Sequence, residues 1–320
     1  MESKEVHSPG DRGMNEVPKL VLRCVNCGSA LGLWSPERTE YVCRDCKTTY
    51  PVRDGILDFV GDREVLGNAQ MSSFAKPQPD DLGRRLIDAR LRALLSQLPS
   101  FQKGEKLTML LDVGGGYGDL VTCGAPLFEL VVSVNASLAE LENESGLLAA
   151  AETRNVALIR ALAQNLPFMP AQFPAVTCVQ VLEHVDNPPL VLAQLRIMLA
   201  KPGVLYLAFP NRFTLRREPH TELRGIGFLP KRGARKYAAW AGRSVEYDSV
   251  HMLSATEVDR WLCQQFGTQY RFIRSRGHQS RFAKMADHAW DRPILQRLVL
   301  LLAGDMEVLA WTSSAGGAKE

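Results

Sequence analysis

Residues 107–118 read LTMLLDVGGGYG, an apolar run that ends in a cluster of glycines. The run predicts a buried strand, and the glycines permit a tight turn and close approach of a ligand to the backbone. Exposed N–H groups at the start of the next helix would favour a carboxylate or a phosphate. Asp112 stands where a dinucleotide site would usually have an apolar residue, and an acid there suits a cationic amine. By itself the stretch is also compatible with a simple turn.

Strands and helices alternate on either side of this stretch. Apolar runs predict strands at 107–113, 130–134, 156–159, 175–182 and 203–209, and helical spacing predicts helices at 80–98, 117–128, 138–150 and 189–199. Continuous apolar strands are typical of a parallel sheet that is buried on both faces. A capped helix at 256–266 and strands at 269–273 and 306–311 complete the pattern. The predicted fold class is therefore α/β.

Three further motifs follow in order. They are NLPF at 165–168 with FPAV at 173–176, VLEHV at 181–185, and KPG at 201–203 before an apolar strand. Together with the glycine loop they resemble the type-11 branch of the class I S-adenosylmethionine (SAM)-dependent methyltransferases. The resemblance covers about residues 108–210 and implies a Rossmann-like sheet of seven strands with the last one antiparallel. It implies SAM as cofactor, bound by Asp112, Gly114, Gly115, Gly116, Tyr117, Gly118, Asn135, Ala136, Leu162, Ala163 and Gln180.

Two positions depart from the family pattern. The family ends its second strand with an acid that binds the ribose hydroxyls, and this chain has Asn135 there. After the third strand the family often has an acid near the adenine, and this chain reads RALA at 160–163. Each lost charge-assisted hydrogen bond would cost about 1.5–3 kcal/mol. A non-catalytic protein with the SAM fold therefore stays an alternative.

Four cysteines form two CxxC pairs, Cys24 with Cys27 and Cys43 with Cys46. Two residues between cysteines let one turn deliver two sulfur atoms to one ion, and four thiolates complete a tetrahedral zinc site with no open position. The spacing predicts structural zinc, and two disulfides or free thiols are the alternative. The segment YPVRDGI at 50–56 makes residues 20–60 resemble the Trm112-like zinc ribbons, which accompany methyltransferases.

Composition and patterning divide the chain into four parts. Of its 320 residues 46% are hydrophobic and 23% charged, which excludes disorder over the whole length. We expect a disordered leader at 1–19, the ribbon at 20–60, a linker at 61–80 and a methyltransferase domain at 81–320 that carries a basic insertion at 211–250. The linker predicts that the ribbon is separate from the larger domain. No apolar run approaches the ~20 residues of a membrane span, and we expect a cytoplasmic protein.

The basic insertion suggests where the methyl acceptor binds. Residues 212–243 contain nine Lys/Arg against two Asp/Glu, interleaved with aromatic side chains. This pattern suits an anionic acceptor, with Arg212, Arg216, Arg217 and His251 as candidate substrate residues, although a solvated loop would also fit. A hydroxyl acceptor needs a base, and the candidates are His220 and then His184.

Three functions remain open at this stage. The first is methyl transfer, at oxygen, to a small or lipid- or sugar-linked metabolite. The second is methylation of rRNA or tRNA, with the ribbon and the basic block holding the nucleic acid. The third is the non-catalytic partner. The sequence does not fix the oligomeric state.

Overall fold

A computed structural model describes residues 18–61, 81–116, 118–273 and 305–313, and the side chains of residues 81–83 are not described. The expected leader lies almost wholly outside these residues, as do the expected linker and Tyr117. The strands are β1 (Val21–Arg23), β2 (Ala30–Leu33), β3 (Glu40–Val42), β4 (Thr49–Arg53), β5 (Ile56–Asp58), β6 (Leu107–Val113), β7 (Phe128–Asn135), β8 (Val156–Arg160), β9 (Phe173–Val179), β10 (Leu199–Pro210), β11 (Tyr270–Ile273) and β12 (Asp305–Thr312).

The described helices lie mostly between the strands of the larger domain. They are α1 (Asp81–Leu95), α2 (Pro99–Gln102), α3 (Asp119–Gly124), α4 (Leu138–Ala150), α5 (Pro188–Met198), α6 (Lys231–Trp240), α7 (Ser244–Asp248) and α8 (Ala255–Phe266), with short 3₁₀ turns at Leu182–His184 and Ile226–Phe228. Helix α8 begins with the capping box that its sequence predicts, in which Ser254 and Glu257 exchange hydrogen bonds. Among these residues no helix is long and apolar enough to cross a membrane.

One large sheet organises the chain. Its order over the described residues is β11-β12-β10-β9-β6-β7-β8-β5-β4-β3. Strands β8, β7, β6, β9 and β10 are parallel, and β12 runs antiparallel to β10. The seven strands from β11 to β8 confirm the expected Rossmann-like methyltransferase sheet. The chain reverses its direction of travel across the sheet at β6 and β9, and open α/β sheets bind ligands at such a point, beyond the carboxyl ends of the strands.

The cysteine-rich segment continues this sheet. Strand β5 pairs in parallel with β8, with Leu57 opposite Ile159, and β4 and β3 extend the edge. On one face of the sheet, Leu22 of β1 forms a bridge to Phe168, and both side chains are fully buried in a shared hydrophobic core. The expectation of a ribbon that is separate from the larger domain was therefore wrong, because β5 buries its backbone and side chains against the methyltransferase sheet.

The basic insertion is more regular than its sequence indicates. Residues 231–240 form α6 and residues 244–248 form α7, where no clear period is visible in the sequence. A small separate core of Ile226, Ala234 and Ala238 holds the insertion together. The buried residues of α6 are small alanines, and most positions around them are basic or exposed. The apolar residues of this segment therefore give little periodic signal in the sequence.

We expect Leu22→Ala to destabilise the whole protein in one cooperative transition. The substitution removes a fully buried side chain from the shared core, which costs about 2–5 kcal/mol. Urea unfolding followed by far-UV circular dichroism measures the effect. Leu33→Ala is the matched control because Leu33 lies on β2 with 47% of its surface exposed. A transition of the larger domain that is unchanged in Leu22→Ala would show that the two parts fold independently.

Candidate functional site

The glycine loop connects β6 to α3 and is held close to two neighbouring elements. Gly114 and Gly118 have positive φ angles of 77° and 78°. A Cβ atom on Gly114 would overlap the Val181 side chain, and one on Gly118 would lie 2.8 Å from Cγ of Glu144. Gly116 differs, because apart from its neighbours in the chain no atom of the described residues lies within 4 Å of the position of such a Cβ atom. The protein's own packing therefore requires the first and last glycine, whereas Gly116 faces open space that a ligand can enter.

Asp112 lies buried beneath this loop. Its Oδ1 accepts a hydrogen bond of 2.6 Å from the Thr177 hydroxyl, and its Oδ2 has no hydrogen-bond partner among the described residues. A Cβ atom on Gly115 would lie 2.9 Å from that oxygen, so the free acceptor lies directly under the loop. Burial raises the pKa of Asp112 to about 6, against the opposing effect of the Thr177 hydrogen bond. A cationic ligand group would satisfy this oxygen and favour the charged form of the carboxyl.

A carboxylate that sequence reasoning missed stands next to Asn135. The Asn135 amide donates a hydrogen bond of 2.6 Å from Nδ2 to Oε2 of Glu140, and Oδ1 accepts from the backbone N–H of Ser137. Glu140 is in the first turn of α4, five residues after the end of the strand. The negative charge that is absent from the end of β7 is therefore present on the neighbouring helix.

Arg160 occupies the end of β8, the region in which the methyltransferase family often has an acid near the adenine. Its Nε donates to the carbonyl of Ala136 at 3.2 Å, and its Nη1 donates to Asp58 at 3.1 Å and to the carbonyl of Gly61 at 2.9 Å. Asp58 ends β5, so the cysteine-rich segment reaches the same edge of the site. Leu162 follows half-buried and Ala163 buried. As the sequence predicts, this loop carries no carboxylate of its own.

The turn after β9 links the glycine loop to a second group of polar residues. Gln180 adopts a positive φ of 56°, which is unfavourable for a residue with a side chain, and its N–H donates to the carbonyl of Ala208 at 2.8 Å. This conformation places Val181 against Gly114. Glu183 and His184 follow in a 3₁₀ turn.

His184 and His220 come together at the end of this turn. Their ring centroids are 5.0 Å apart and the rings are nearly perpendicular, at 81°. His220 forms a hydrogen bond of 2.8 Å from Nδ1 to Oε1 of Glu218. Burial alone would raise the pKa of Glu218, but hydrogen bonds from His220 and Thr221 lower it below its usual value. Glu218 is therefore a buried, ionised carboxylate that orients the His220 ring.

The predicted substrate residues have different environments. Arg212 donates to the carbonyls of Gly227 and Leu229 at 2.7 and 3.3 Å, which fixes the start of the insertion. Arg216 and Arg217 are exposed. His251 donates its backbone N–H to the carbonyl of Glu183 at 2.7 Å and thus lies beside the paired histidines. A cavity of about 380 Å³ adjoins it, with a lining that includes Arg212, Lys231, Arg235, His251 and Trp261.

The four cysteines converge at the end of the ribbon. Their sulfur atoms all lie within 4.8 Å of one another, with 3.5 Å between Cys24 and Cys46 and between Cys27 and Cys43. A tetrahedral ion with sulfur ligands at about 2.3 Å would separate them by about 3.8 Å. The Tyr50 hydroxyl lies 3.0 Å from the Cys24 sulfur, and the Thr48 hydroxyl 3.1 Å from that of Cys46. Such hydroxyl contacts support metal-bound thiolates. The cluster fits a zinc ribbon.

Several buried carboxyl groups escaped the sequence analysis. Glu144 of α4 is fully buried and accepts a hydrogen bond of 2.8 Å from the Ser133 hydroxyl. Glu183 and Glu218 are also buried. An acid on an otherwise amphipathic helix, or one beside a histidine, looks like an ordinary surface residue in a sequence. The LEHV motif, which contains Glu183, is the signal that the sequence offers for these residues.

The glycine loop at the reversal point of a seven-stranded sheet defines the class I SAM-methyltransferase fold. A family model described as a methyltransferase domain matches residues 81–271, and the chain belongs to this family. The expected class is thereby confirmed.

Individual relatives are distant. The ubiquinone biosynthesis O-methyltransferase of Histophilus somni (strain 2336) is 28% identical over 109 residues, which are 32% of this chain and 45% of that protein. The match thus spans less than half the length of this curated relative. Among solved structures, phosphoethanolamine N-methyltransferase 2 of Haemonchus contortus is 13% identical with a TM-score of 0.48, over 78% of this chain and 61% of that one. The plantazolicin methyltransferase BpumL is 13% identical with a TM-score of 0.48, over 77% of this chain and 90% of that one.

The buried carboxyl group of Glu144 should make the stability of the folded protein depend on pH. Burial raises its pKa from an ordinary 4.5 to about 8, and the charges of Asp112 and Glu140 add to the shift. The folded protein therefore binds a proton that the unfolded chain releases between these values, and this residue makes stability fall as pH rises from about 5 to 8. In Glu144→Gln the melting temperature should rise relative to that of the unaltered protein as pH increases over this range.

Thermal unfolding of the ligand-free protein at pH 5 and pH 8 measures this difference. Glu142→Gln, an exposed position on the same helix, is the control and should follow the unaltered protein at both values. If the melting temperature of Glu144→Gln differed from that of the unaltered protein by the same amount at pH 5 and pH 8, Glu144 would be ionised in the folded protein at both values.

Proposed function

We propose that this protein transfers a methyl group from SAM to an oxygen atom of a small or lipid- or sugar-linked acceptor with anionic character. The proposal rests on two features that lie close together. The buried Oδ2 of Asp112 lies under the glycine loop and has no hydrogen-bond partner among the described residues. The turn after β9 packs on this loop and carries His184 beside His220, whose ring is oriented by the carboxylate of Glu218. The first feature fits a cationic amino acid cofactor and the second fits activation of a hydroxyl group. The relative from Histophilus somni, whose name describes an O-methyltransferase, supports oxygen as the acceptor atom.

SAM would lie across the glycine loop. Asp112 would take the cationic amine, and the open face at Gly116 would admit the body of the cofactor. The ribose would lie at Asn135, where Glu140 supplies a carboxylate that a hydroxyl group can donate to. This neighbouring charge compensates for the missing strand-end acid and favours the enzyme over the non-catalytic alternative. Ala136, Leu162, Ala163 and Gln180 would line the remaining edge.

His220 would receive the acceptor's proton. Its Nδ1 is held by Glu218, which leaves Nε2 as the basic nitrogen. SAM supplies a methyl group on a positively charged sulfur, which leaves as a neutral thioether. The protein's part is to align the acceptor oxygen with that methyl group and to remove the hydroxyl proton. His184, whose ring packs at 5.0 Å from that of His220, limits the space beside it.

The basic insertion would bind the acceptor. Arg216 and Arg217 are exposed, and the cavity beside His251 carries Lys231, whereas Arg235 in its lining is paired with Asp248 at 2.7 Å. These charges would attract an anionic molecule, and the attraction would weaken with salt. Methylation of RNA is the alternative, and strong binding of RNA to the same arginines would favour it.

The ribbon would hold one structural zinc ion. Four cysteine ligands leave no position for a substrate, so the metal would stabilise the segment that completes the sheet. Metal analysis after exhaustive dialysis should find about one zinc per chain bound there. Cys43→Ser should release it and lower the stability of the whole protein, whereas Cys263→Ser, at an exposed cysteine remote from the cluster in sequence, should change neither. Retention of the ribbon zinc in Cys43→Ser would disprove the site.

SAM binding provides the second test. Gly116→Val should abolish binding of SAM and of its demethylated product in calorimetry, because the valine fills the open face of the loop. Gly104→Val is a matched control, since Gly104 also has a positive φ and open space but lies in a loop before β6. It should bind SAM normally despite comparable backbone strain. Normal binding by Gly116→Val would place the cofactor elsewhere.

Acceptor activation provides the third test. His220→Ala should keep SAM binding and lose about 10²–10⁴-fold in turnover if His220 removes the proton. The double variant Arg216→Ala/Arg217→Ala should instead raise the KM for an anionic acceptor and leave kcat nearly unchanged. Steady-state kinetics at two salt concentrations separate these effects. A His220→Ala variant with full turnover would exclude His220 from the chemistry.

A further inference from the structure

We propose that Glu183, His184 and His220 form a second metal site, for a divalent cation of the zinc class, that is distinct from the ribbon. One carboxylate oxygen and one nitrogen from each ring lie within 4.8 Å of one another. Metal binding itself does not depend on the proposed function, although its catalytic consequence does.

The environment of the three side chains matches a metal site. Glu183 is fully buried, and the side chain of His220 is only 13% exposed. A carboxylate oxygen and two imidazole nitrogens that are this close together and shielded from water offer three ligand atoms to one cation. The nearly perpendicular rings, with centroids 5.0 Å apart, allow both to direct a nitrogen to one point without stacking.

Glu218 adds the support that metal-bound histidines usually have. A histidine ligand almost always donates its other ring N–H to a carboxylate or carbonyl, which fixes the ring and its tautomer. His220 makes this contact at 2.8 Å through Nδ1, and Glu218 is fixed in turn by the Thr221 N–H and hydroxyl at 2.6 and 2.8 Å. Nε2 of His220 is therefore the nitrogen left for a metal ion.

The donor set determines the class of cation. Two imidazoles and one carboxylate are ligands of zinc sites that keep a fourth position open for water or substrate. The same set accepts Co²⁺ and Fe²⁺, whereas four thiolates select the softer ions. The chain thus combines a closed site and an open site with different ligand chemistry, and the two can be loaded separately.

The position of the cluster suggests what the open coordination site does. The turn that carries Glu183 and His184 begins at Val181, which packs on Gly114 of the glycine loop. On the other side, the backbone of His251 bonds to Glu183 and leads to the cavity lined by Arg212 and Lys231. A cation here would lie between the proposed cofactor and the proposed acceptor.

A hydroxyl group bound to the cation would lose its proton near neutral pH, as metal-bound water does. The proton would leave to solvent, and His220 would then be a metal ligand instead of the base. The acceptor oxygen would form a bond to the methyl carbon while the bond from that carbon to sulfur breaks, with its electron pair remaining on sulfur. An acceptor with two adjacent oxygen atoms, such as a catechol, would fit the open site best because both could bind the cation.

The test uses the 320-residue chain, loaded with zinc at the ribbon cysteines, and Co²⁺ as the probe. We expect one equivalent of Co²⁺ to bind, with visible absorption bands but without the thiolate-to-cobalt charge-transfer band of a cysteine site. His184→Gln and His220→Gln should abolish saturable binding, and Glu218→Gln should weaken it about 10–100-fold. His251→Gln is the matched control, a neighbouring histidine outside the cluster, and should bind Co²⁺ normally.

Paramagnetic proton NMR of the unaltered protein with Co²⁺ provides evidence that does not depend on variants folding. Shifted resonances of two imidazole rings would support the site. Absence of saturable Co²⁺ binding, or binding that survives both histidine substitutions, would overturn it and leave a hydrogen-bonded cluster without metal.

The catalytic consequence has a separate readout. A chelator that removes the second metal but leaves the ribbon zinc should stop methyl transfer without changing SAM affinity, and added Co²⁺ or Zn²⁺ should restore it. Full turnover in the metal-depleted protein would overturn the catalytic role. Failure of the proposed function would look different, because the protein would then bind Co²⁺ at this cluster but would not bind SAM.

Discussion

Strand β6 is the constraint on which the rest of the structure depends. It is hydrogen-bonded in parallel to β7 on one side and to β9 on the other, so the chain must leave the sheet at its end in a tight turn. The glycines make this turn possible, and Val181 closes against Gly114 from the turn after β9. The same contact fixes where Glu183 and His184 stand. The proposed cofactor site and the proposed catalytic cluster are therefore consequences of one packing interaction between two neighbouring strand ends.

The cysteine-rich segment belongs to the same sheet. Its strand β5 pairs with β8, and its Asp58 forms an ion pair of 3.1 Å with Arg160 beside Ala136. Both side chains of this ion pair are largely buried, with 6% and 12% of their surfaces exposed. Removing either partner would leave an uncompensated charge at the edge of the proposed cofactor site. Unfolding of the cysteine-rich segment would therefore remove the Asp58 partner of Arg160 at this edge.

Buried carboxyl groups distinguish the functional end of the sheet. Asp112, Glu144, Glu183 and Glu218 are all buried, and the backbone around them is held by strand pairing or by turns. Their environments differ, since Glu218 is stabilised in its charged form by hydrogen bonds, whereas burial favours the protonated form of Asp112 and Glu144. Charged groups in such positions cost stability unless hydrogen bonds, a ligand or a cation compensate them. Their concentration beyond the ends of β6 and β9 supports the location of the proposed site at this reversal point.

The sequence by itself determined the α/β class, the capped helix α8 and the four-cysteine cluster, because each depends on periodicity or on spacing within a short segment. The number of strands in the sheet followed from the resemblance to the methyltransferase family. Strand β6 and helix α4 were predicted to the residue. Only the tertiary structure decided that β5 joins the sheet, that Glu140 stands beside Asn135, and that His220 meets His184 across a separation of 36 positions. These features depend on contacts between residues that are distant in the chain or that share no local pattern. Local propensity carries no information about them, because the energy that selects them comes from burial and pairing in the assembled fold.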